Sequence, residues 1–185
     1  MQGSYPIYRG SGKQPKILVV EDDVDIRQIL SVFLKHSGFD VHIVSDGQEA
    51  IRVIPDYRPD LIVLDLMMQP VSGWDVLRWL RASQHDSPTE NATMTEADTD
   101  EAALHTIPVL ILTALTHIDQ QVNGFEAGAV EYMTKPTQPG KIVERINGIL
   151  SLSAEERTTL RDKRIDEQRA VLERIHAPQP DEFFW

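Results

Sequence analysis

The chain has 185 residues, a length that suits one well-packed domain with appendages and is short for two ordinary domains. Its net charge of -11 opposes unaided binding to a polyanion, and the absence of cysteine excludes disulfides and thiolate metal sites. No apolar run is long enough to span a bilayer, and the segment 1–14 lacks the apolar core of a secretion signal. We therefore expect a cytoplasmic protein with a flexible start, residues 1–14, and no direct contact with membranes or nucleic acid.

The first half of the chain alternates short apolar runs with segments whose apolar residues recur every three or four positions. The first pattern is typical of buried strands and the second of amphipathic helices. Pro55 and Pro59 predict a loop over 55–60. The predicted elements are a strand over 16–20, a helix over 24–37, a strand over 39–45, a helix over 48–54 and a strand over 61–66.

The alternation continues in the second half of the chain. A helix over 74–81 is followed by a strand over 107–112 and by a helix that ends within 124–129. A strand over 130–133 and a closing helix over 138–152 come next. Strands that alternate with helices favour right-handed crossovers and a parallel sheet covered on both faces. The predicted fold class is α/β: a doubly wound, five-stranded parallel sheet over residues 15–152.

Two segments depart from this alternation. The insertion 83–106 is acidic, contains no lysine or arginine, and includes Ser, Thr, Asn and Pro residues. It is typical of a solvated loop, and a docking surface for a basic partner is the alternative. In the extension 153–185, Ser153 and Glu156 have the spacing of a capping box and predict a helix over 154–176. That helix has three open roles: packing on the domain, pairing two copies as a homodimer, or carrying the output.

Chemically useful residues follow the predicted strands. Acidic residues 21–23 follow the first strand, Asp65 lies near the end of the third, Thr113 ends the fourth and Lys135 follows the fifth. The carboxyl ends of parallel strands meet in one crevice, so we expect these side chains to converge. Clustered carboxylates suit Mg²⁺, while an ammonium group and a hydroxyl can neutralise phosphoryl oxygens. This combination favours phosphorylation of Asp65.

Four motifs in this order resemble the response-regulator receiver family of two-component signalling. They are Ile17-Leu18-Val19-Val20-Glu21-Asp22-Asp23, Asp65-Leu66-Met67-Met68, Leu112-Thr113-Ala114 and Tyr132-Met133-Thr134-Lys135-Pro136. The resemblance covers residues 15–152 apart from the acidic insertion, and it implies a flavodoxin-like receiver fold, a Mg²⁺ cofactor and phosphorylation by a histidine kinase or a histidine phosphotransfer protein.

The resemblance also implies a role for each matched residue. Asp65 is the implied phosphoacceptor, and Lys135 pairs with the phosphoryl group. Thr113 and Tyr132 form the implied switch pair, in which the hydroxyl moves towards the phosphoryl group and the ring turns inward. The implied metal ligands are Glu21, Asp22, Asp65 and the backbone carbonyl of Met67.

The chain departs from the family pattern at one position, and the matched residues also have structural alternatives. The family usually has proline directly after the methionine at Met68, whereas this chain has Gln69 before Pro70, so the path of that loop is open. Each residue also has a structural alternative: the acidic run can simply cap the following helix, and Tyr132 can be a packing aromatic.

The preferred hypothesis is a phosphoaccepting response regulator that signals by protein–protein contact, without a DNA-binding output domain and without an enzymatic output. One alternative is a pseudo-receiver, a binding module that works without phosphate. The other is a Mg²⁺-dependent phosphatase, which would need a second catalytic aspartate where this chain has Met67.

Overall fold

The computed structural model describes residues 12–82 and 104–176. Most of the predicted N-terminal segment, most of the acidic insertion and the aromatic end of the chain at 183–185 lie outside the described residues. The predictions that concern those segments therefore stay predictions.

The core of the fold is a five-stranded parallel sheet, which confirms the predicted fold class. Its order is β2-β1-β3-β4-β5, so the chain moves outward from β1 to β2 and then returns to the other side of β1 with β3. Ligand sites in such sheets lie where the order reverses, here between β1 and β3. The strands are β1 Lys16–Val20, β2 Asp40–Val44, β3 Leu61–Leu64, β4 Val109–Thr113 and β5 Glu131–Thr134.

Helices cover both faces of the sheet because its strands are apolar on both sides. In β1, Ile17 and Val19 join the core cluster that α1 and α5 complete, whereas Leu18 and Val20 join the cluster that α2 and α3 complete. None of the helices in the described ranges is both long and apolar enough to cross a membrane. The helices are α1 Val24–His36, α2 Gly47–Tyr57, α3 Gly73–Ala82, α4 Ile118–Glu126, α5 Pro139–Ser151 and α6 Ala154–His176.

The predicted loop over 55–60 is wrong at its start, because α2 continues through Pro55 to Tyr57. Proline in the final helical turn removes a single hydrogen-bond donor, and tertiary contacts of Tyr57 hold that turn in place. Its carbonyl accepts a hydrogen bond from Lys16 Nζ at 2.9 Å, and its hydroxyl donates to the Asp40 carbonyl at 3.1 Å. The helix ends at Arg58, which adopts a left-handed conformation with φ 50°.

The predicted strand over 107–112 is shifted by a proline. Pro108 lies before β4, where its carbonyl accepts a hydrogen bond from the Ile62 N–H at 3.0 Å. The strand proper begins at Val109 and includes Thr113 as its last residue. This shift places the Thr113 side chain at the carboxyl edge of the sheet, and that side chain is fully buried.

The C-terminal helix α6 has the predicted bounds, and its capping box forms. The Ser153 N–H donates to Glu156 Oε2 at 2.7 Å, and the Glu156 N–H donates to Ser153 Oγ at 3.1 Å. The two reciprocal bonds satisfy N–H groups that a helix start otherwise leaves unpaired. The helix therefore begins where the sequence indicates.

Of the three roles left open for α6, the structure shows packing on the domain, against α4 and β5. Arg164 Nη2 donates to Glu131 Oε2 at 3.1 Å, Arg169 pairs with Glu126, and Leu160 packs against a core cluster. Glu131 is only 5% exposed, and its next cation, Arg145 Nη1, lies 3.7 Å away. A buried carboxylate needs a partner, so Arg164 ties α6 to the sheet.

Replacing Arg164 with methionine should lower the free energy of unfolding by about 1–2 kcal/mol, because Glu131 would lose its nearer cation while the apolar stem stays. Hydrogen exchange of α6 amides should accelerate. Urea denaturation measures the first effect. The matched control is Lys163→Met, which removes an exposed pair with Glu167 and should change stability by less than about 0.5 kcal/mol. Equal losses in both variants would contradict the role assigned to Arg164.

Candidate functional site

Three carboxylates converge at the point where the strand order reverses. Glu21 and Asp22 follow β1 and Asp65 follows β3, which is the neighbouring strand. One carboxylate oxygen from each residue lies within 4.8 Å of the other two. Glu21 is 2% exposed and Asp65 is 5% exposed, whereas Asp22 is open to solvent. The predicted acidic site is therefore assembled, with two inner carboxylates and one outer one.

Lys135 supplies the positive charge at this site. Its Nζ lies 2.6 Å from Asp65 Oδ2 and 2.6 Å from Glu21 Oε2. The backbone N–H of Lys135 donates to the Thr113 carbonyl at 2.8 Å, which fixes the residue over the ends of the strands. The structure thus brings together the predicted lysine and the predicted acceptor.

Burial and ion pairing act in opposite directions on these groups. Burial favours the neutral form of Lys135, but its contacts with Asp65 and Glu21 outweigh burial and raise the pKa of the ammonium group. Burial also raises the pKa of Glu21, and the contact with Lys135 offsets only part of that rise. A single ammonium group is therefore shared by two carboxylates, and it stays charged throughout the physiological range.

Thr113 and Tyr132 lie on the two strands beyond Asp65. The Thr113 side chain is fully buried, and its Oγ1 lies 3.5 Å from the Leu115 N–H. The Tyr132 hydroxyl donates to the Leu115 carbonyl at 3.0 Å, and its ring centroid lies 6.3 Å from that of Phe125. Both predicted switch residues thus contact the same loop after β4.

The third member of the acidic run has a structural role. Asp23 caps α1, because its Oδ1 accepts hydrogen bonds from the N–H groups of Asp25 at 2.9 Å and Ile26 at 3.0 Å. These backbone bonds hold the pKa of its carboxyl below the ordinary value. The alternative interpretation of the acidic run as a helix cap is thus correct for Asp23 alone.

Sequence reasoning missed Arg27 as a supporting residue. Its Nη1 donates to the carbonyls of Glu21 and Asp22, at 2.7 Å each, from the first turns of α1. These bonds fold the loop after β1 back on its own helix and fix the backbone that carries two of the three carboxylates. An arginine on a helix face has no sequence signal for such a role.

Gly73 holds the loop that follows Asp65, in spite of the displaced Pro70. A Cβ atom at Gly73 would lie 2.1 Å from the Asp65 carbonyl oxygen, so only glycine fits there. The Gly73 N–H donates to the Leu66 carbonyl at 3.2 Å, and the Met67 N–H donates to Asp65 Oδ1 at 3.0 Å. The loop therefore closes tightly on the acceptor, and the side chain of Met67 is 57% exposed.

The residues present fit a hard divalent cation such as Mg²⁺. Such a cation prefers oxygen ligands, and the cluster offers a carboxylate oxygen from each of Glu21, Asp22 and Asp65. Among the described residues of this site, Lys135 alone offsets the two inner charges. A cation would relieve the remaining repulsion between the carboxylates.

The fold and the site together define a class of protein: a flavodoxin-like α/β domain with lysine-bridged carboxylates at its switch point, which is the arrangement of a receiver-type signalling domain. The sequence profile of the response regulator receiver domain matches residues 17–106. Residues 17–106 therefore belong to the response regulator receiver family, as the sequence motifs predict. Domains of this family act as signalling switches.

Known proteins with similar sequence or structure support the assignment of a receiver domain. The chain is 33% identical over 141 residues to the DNA-binding response regulator MtrA of Mycolicibacterium paratuberculosis, a match that covers 76% of this chain and 53% of MtrA. The chain thus spans about half the length of the curated relatives it matches.

The solved structures that match include two, described next, with TM-scores of 0.60. A putative response regulator of Chloroflexus aurantiacus is 28% identical, with 76% of this chain and all of that chain covered. The receiver domain of the Francisella response regulator 1452 is 29% identical, with 74% and 96% covered.

Gly73→Ala should displace the Asp65 backbone and destabilise the fold by about 1–3 kcal/mol, because the added methyl group meets main-chain atoms that cannot give way. The matched control is Gly148→Ala in α5, where a Cβ meets nothing within 4 Å. That change should stabilise the protein by about 0.5–1 kcal/mol, since alanine is the better helix former. Urea denaturation of both variants tests this, and a neutral result for Gly73→Ala would contradict the packing described.

Tyr132 should make stability depend on pH in the alkaline range. Burial, with the charges of Asp65 and Asp119, raises the pKa of Tyr132 from 10.0 to about 12. The unfolded chain releases the phenolic proton first, so this contribution is complete below pH 10.0 and is lost as the pH rises to about 12.

Denaturation of wild type and Tyr132→Phe across that range measures the contribution, and the variant should lose less stability as the pH rises. Tyr57, whose pKa is also raised to about 12, is present in both proteins, so its contribution cancels when their pH profiles are compared. Identical pH profiles would show that Tyr132 ionises freely in the folded state.

Proposed function

We propose that this chain is a phosphoaccepting response regulator in which Asp65 receives a phosphoryl group in a Mg²⁺-dependent reaction. The observation that carries the proposal is the position of Asp65. Its carboxylate is buried, lies within 2.6 Å of the Lys135 ammonium group, and shares its crevice with Glu21 and Asp22. This arrangement concentrates the charges that phosphoryl transfer requires.

The reaction forms one bond and breaks one. A carboxylate oxygen of Asp65 attacks the phosphorus atom of the donor, and the bond between phosphorus and the donor's leaving atom breaks, with the electron pair leaving on the donor. Lys135 stabilises charge on one phosphoryl oxygen, and the Thr113 hydroxyl, at the end of the adjacent strand, is the donor for another. Glu21, Asp22, Asp65 and the Met67 carbonyl are the proposed metal ligands, and the bound Mg²⁺ supplies further charge neutralisation.

The proposed switch uses residues that already share contacts. Tyr132 and Thr113 both contact Leu115 in the loop after β4. Movement of the Thr113 hydroxyl towards a phosphoryl group on Asp65 would vacate space that the Tyr132 ring can fill. Such a change shifts the population between two packings of the loop, of α4 and of β5.

The proposed partners follow from the family. Receiver domains of response regulators are phosphorylated by histidine kinases, so a histidine kinase or a histidine phosphotransfer protein is the proposed donor. The proposed output is a change in contacts with a downstream protein, with a homodimer through the last helices as an alternative. The cytoplasmic location also stays a prediction.

The expectation that the protein works without DNA contact has no support from its relatives. MtrA is named as a DNA-binding response regulator, and the matched region covers 53% of it. Output through protein contacts therefore remains a proposal. The division of the chain into a segment 1–14, a domain 15–152 with its insertion 83–106, and an extension 153–185 also remains a proposal.

The two alternatives are weaker on specific grounds. A pseudo-receiver that works without phosphate would not require the lysine-bridged carboxylates that this crevice contains. A phosphatase of the aspartyl-phosphate type would need a second catalytic aspartate two residues after Asp65, where the exposed side chain of Met67 lies.

Intact mass after incubation with Mg²⁺ and acetyl phosphate tests the proposal. Wild type should gain one phosphoryl group, Asp65→Asn should gain none, and chelation of Mg²⁺ should abolish the gain. The matched control is Asp56→Asn on the exposed side of α2, which should behave as wild type.

Gel filtration in parallel reports self-association, since a size change on phosphorylation would favour the homodimer. No mass gain in wild type, with Mg²⁺ binding verified by titration, would overturn the proposal in favour of the phosphate-independent module. Release of phosphate from simple phosphate esters would favour the phosphatase instead.

A further inference from the structure

A second polar site lies at the opposite edge of the sheet from Asp65. Two adjoining pockets, of about 120 Å³ and about 280 Å³, open between the end of α3, the start of β4, the turn after α4 and the first turns of α6. Both pockets are lined by Ile107, Gly128 and Arg161, so they form one groove. Because Asp65 follows the carboxyl end of β3 and this groove borders the amino end of β4, roughly 15 Å of strand separates them.

Arginine side chains dominate the polar lining of this groove. Arg81 enters from α3, while Arg157 and Arg161 enter from α6. Among the described residues that line the groove, none is acidic, and the remaining polar side chains are Thr106 and Thr158. In a chain of net charge -11, three guanidinium groups around one groove are a local reversal of sign.

The contacts that Arg157 and Arg161 make leave the charges of both side chains available. Arg161 Nε lies 3.5 Å from Asp162 Oδ1, but this neighbour in sequence is 63% exposed and such a pair is weak. Arg157 Nε donates to the Ser153 carbonyl at 3.3 Å, which is a neutral acceptor. The arginines Arg164 and Arg169, further along the same helix, each pair with a glutamate of the domain.

We propose that this groove is an oxyanion-binding site, in which Arg81, Arg157 and Arg161 hold a carboxylate or phosphate group. Guanidinium groups present parallel N–H donors that match both kinds of oxyanion, and partial burial strengthens such charge-assisted bonds. The site is separate from phosphorylation of Asp65 and does not depend on it.

Two sources can supply this chemistry. One is a free anion of a size that the pockets accommodate, such as a phosphate-bearing or dicarboxylate molecule. The other is the chain's own sequence between 83 and 103, which joins the fold next to Arg81 and contains six carboxylates and no lysine or arginine. Carboxylates attached so close to the groove would have a high effective concentration.

The test is an NMR titration of the full-length chain with inorganic phosphate and, separately, with succinate, both without Mg²⁺. The amides of Ile107, Gly128 and Arg161 should shift in a saturable way, and the amide of Met67, which reports on the Asp65 site, should not. Added sodium chloride should weaken binding, because the attraction is between charges.

Charge reversal assigns the binding to the groove. Arg81→Glu on α3 and Arg161→Glu on α6 should each raise the dissociation constant at least tenfold, so the result does not rest on one element. The matched control is Arg174→Glu, an exposed residue near the end of α6 that does not line the groove. It should change the constant by less than twofold.

A chain in which the six carboxylates are replaced by their amides distinguishes the sources. Equal phosphate affinity in this chain and in wild type indicates a free anion, whereas binding at least tenfold tighter in the neutralised chain indicates that its own carboxylates compete for the groove. The proposal would be overturned if neither chain shows a saturable shift. It would also be overturned if Arg81→Glu and Arg161→Glu bind phosphate as tightly as wild type does.

Discussion

The contact of Lys135 with Glu21 and Asp65 is the interaction on which the functional site depends. The strand order places β4 between β3 and β5, so this lysine spans the end of β4 to reach Asp65 and then continues to Glu21 after β1. One ammonium group therefore links the carboxyl ends of three strands. Among the described residues of the site, Lys135 is the cation that pairs with these two almost fully buried carboxylates, and a buried charge needs such a partner.

The same contact sets the conditions for the proposed chemistry. Glu21 and Asp65 compete for one ammonium group, so a phosphoryl group on Asp65 would draw Lys135 towards a larger negative charge and leave Glu21 less well compensated. A bound cation at Glu21 and Asp22 would offset that loss. Charge balance within the crevice is thus one physical reason to expect that the proposed reaction needs Mg²⁺.

The sequence predicted the parallel sheet, the order of its elements along the chain and the convergence of Glu21, Asp22, Asp65 and Lys135, because all of these depend on local apolar patterns and on the geometry of parallel strands. It failed where tertiary contacts outweigh local preference, as in the continuation of α2 through Pro55. Two other features had no sequence signal. One is the contact of Arg27 with the loop after β1, and the other is the burial of Glu131. The sequence shows Glu131 only as a polar residue of an edge strand, and its burial depends on the packing of α6.

Buried Glu131 and buried Glu21 follow one rule, although they lie far apart in sequence from their partners. Within the described ranges, each buried carboxylate pairs with a cation from a distant element: Glu21 and Asp65 with Lys135 after β5, and Glu131 with Arg164 on α6. The first pairing closes the crevice and the second attaches the C-terminal helix. Glu131 directly precedes Tyr132, and its Oε1 accepts a hydrogen bond from the Tyr132 N–H at 3.1 Å. A change in β5 at Tyr132, the proposed switch residue, would therefore act on Glu131, which attaches α6 through Arg164.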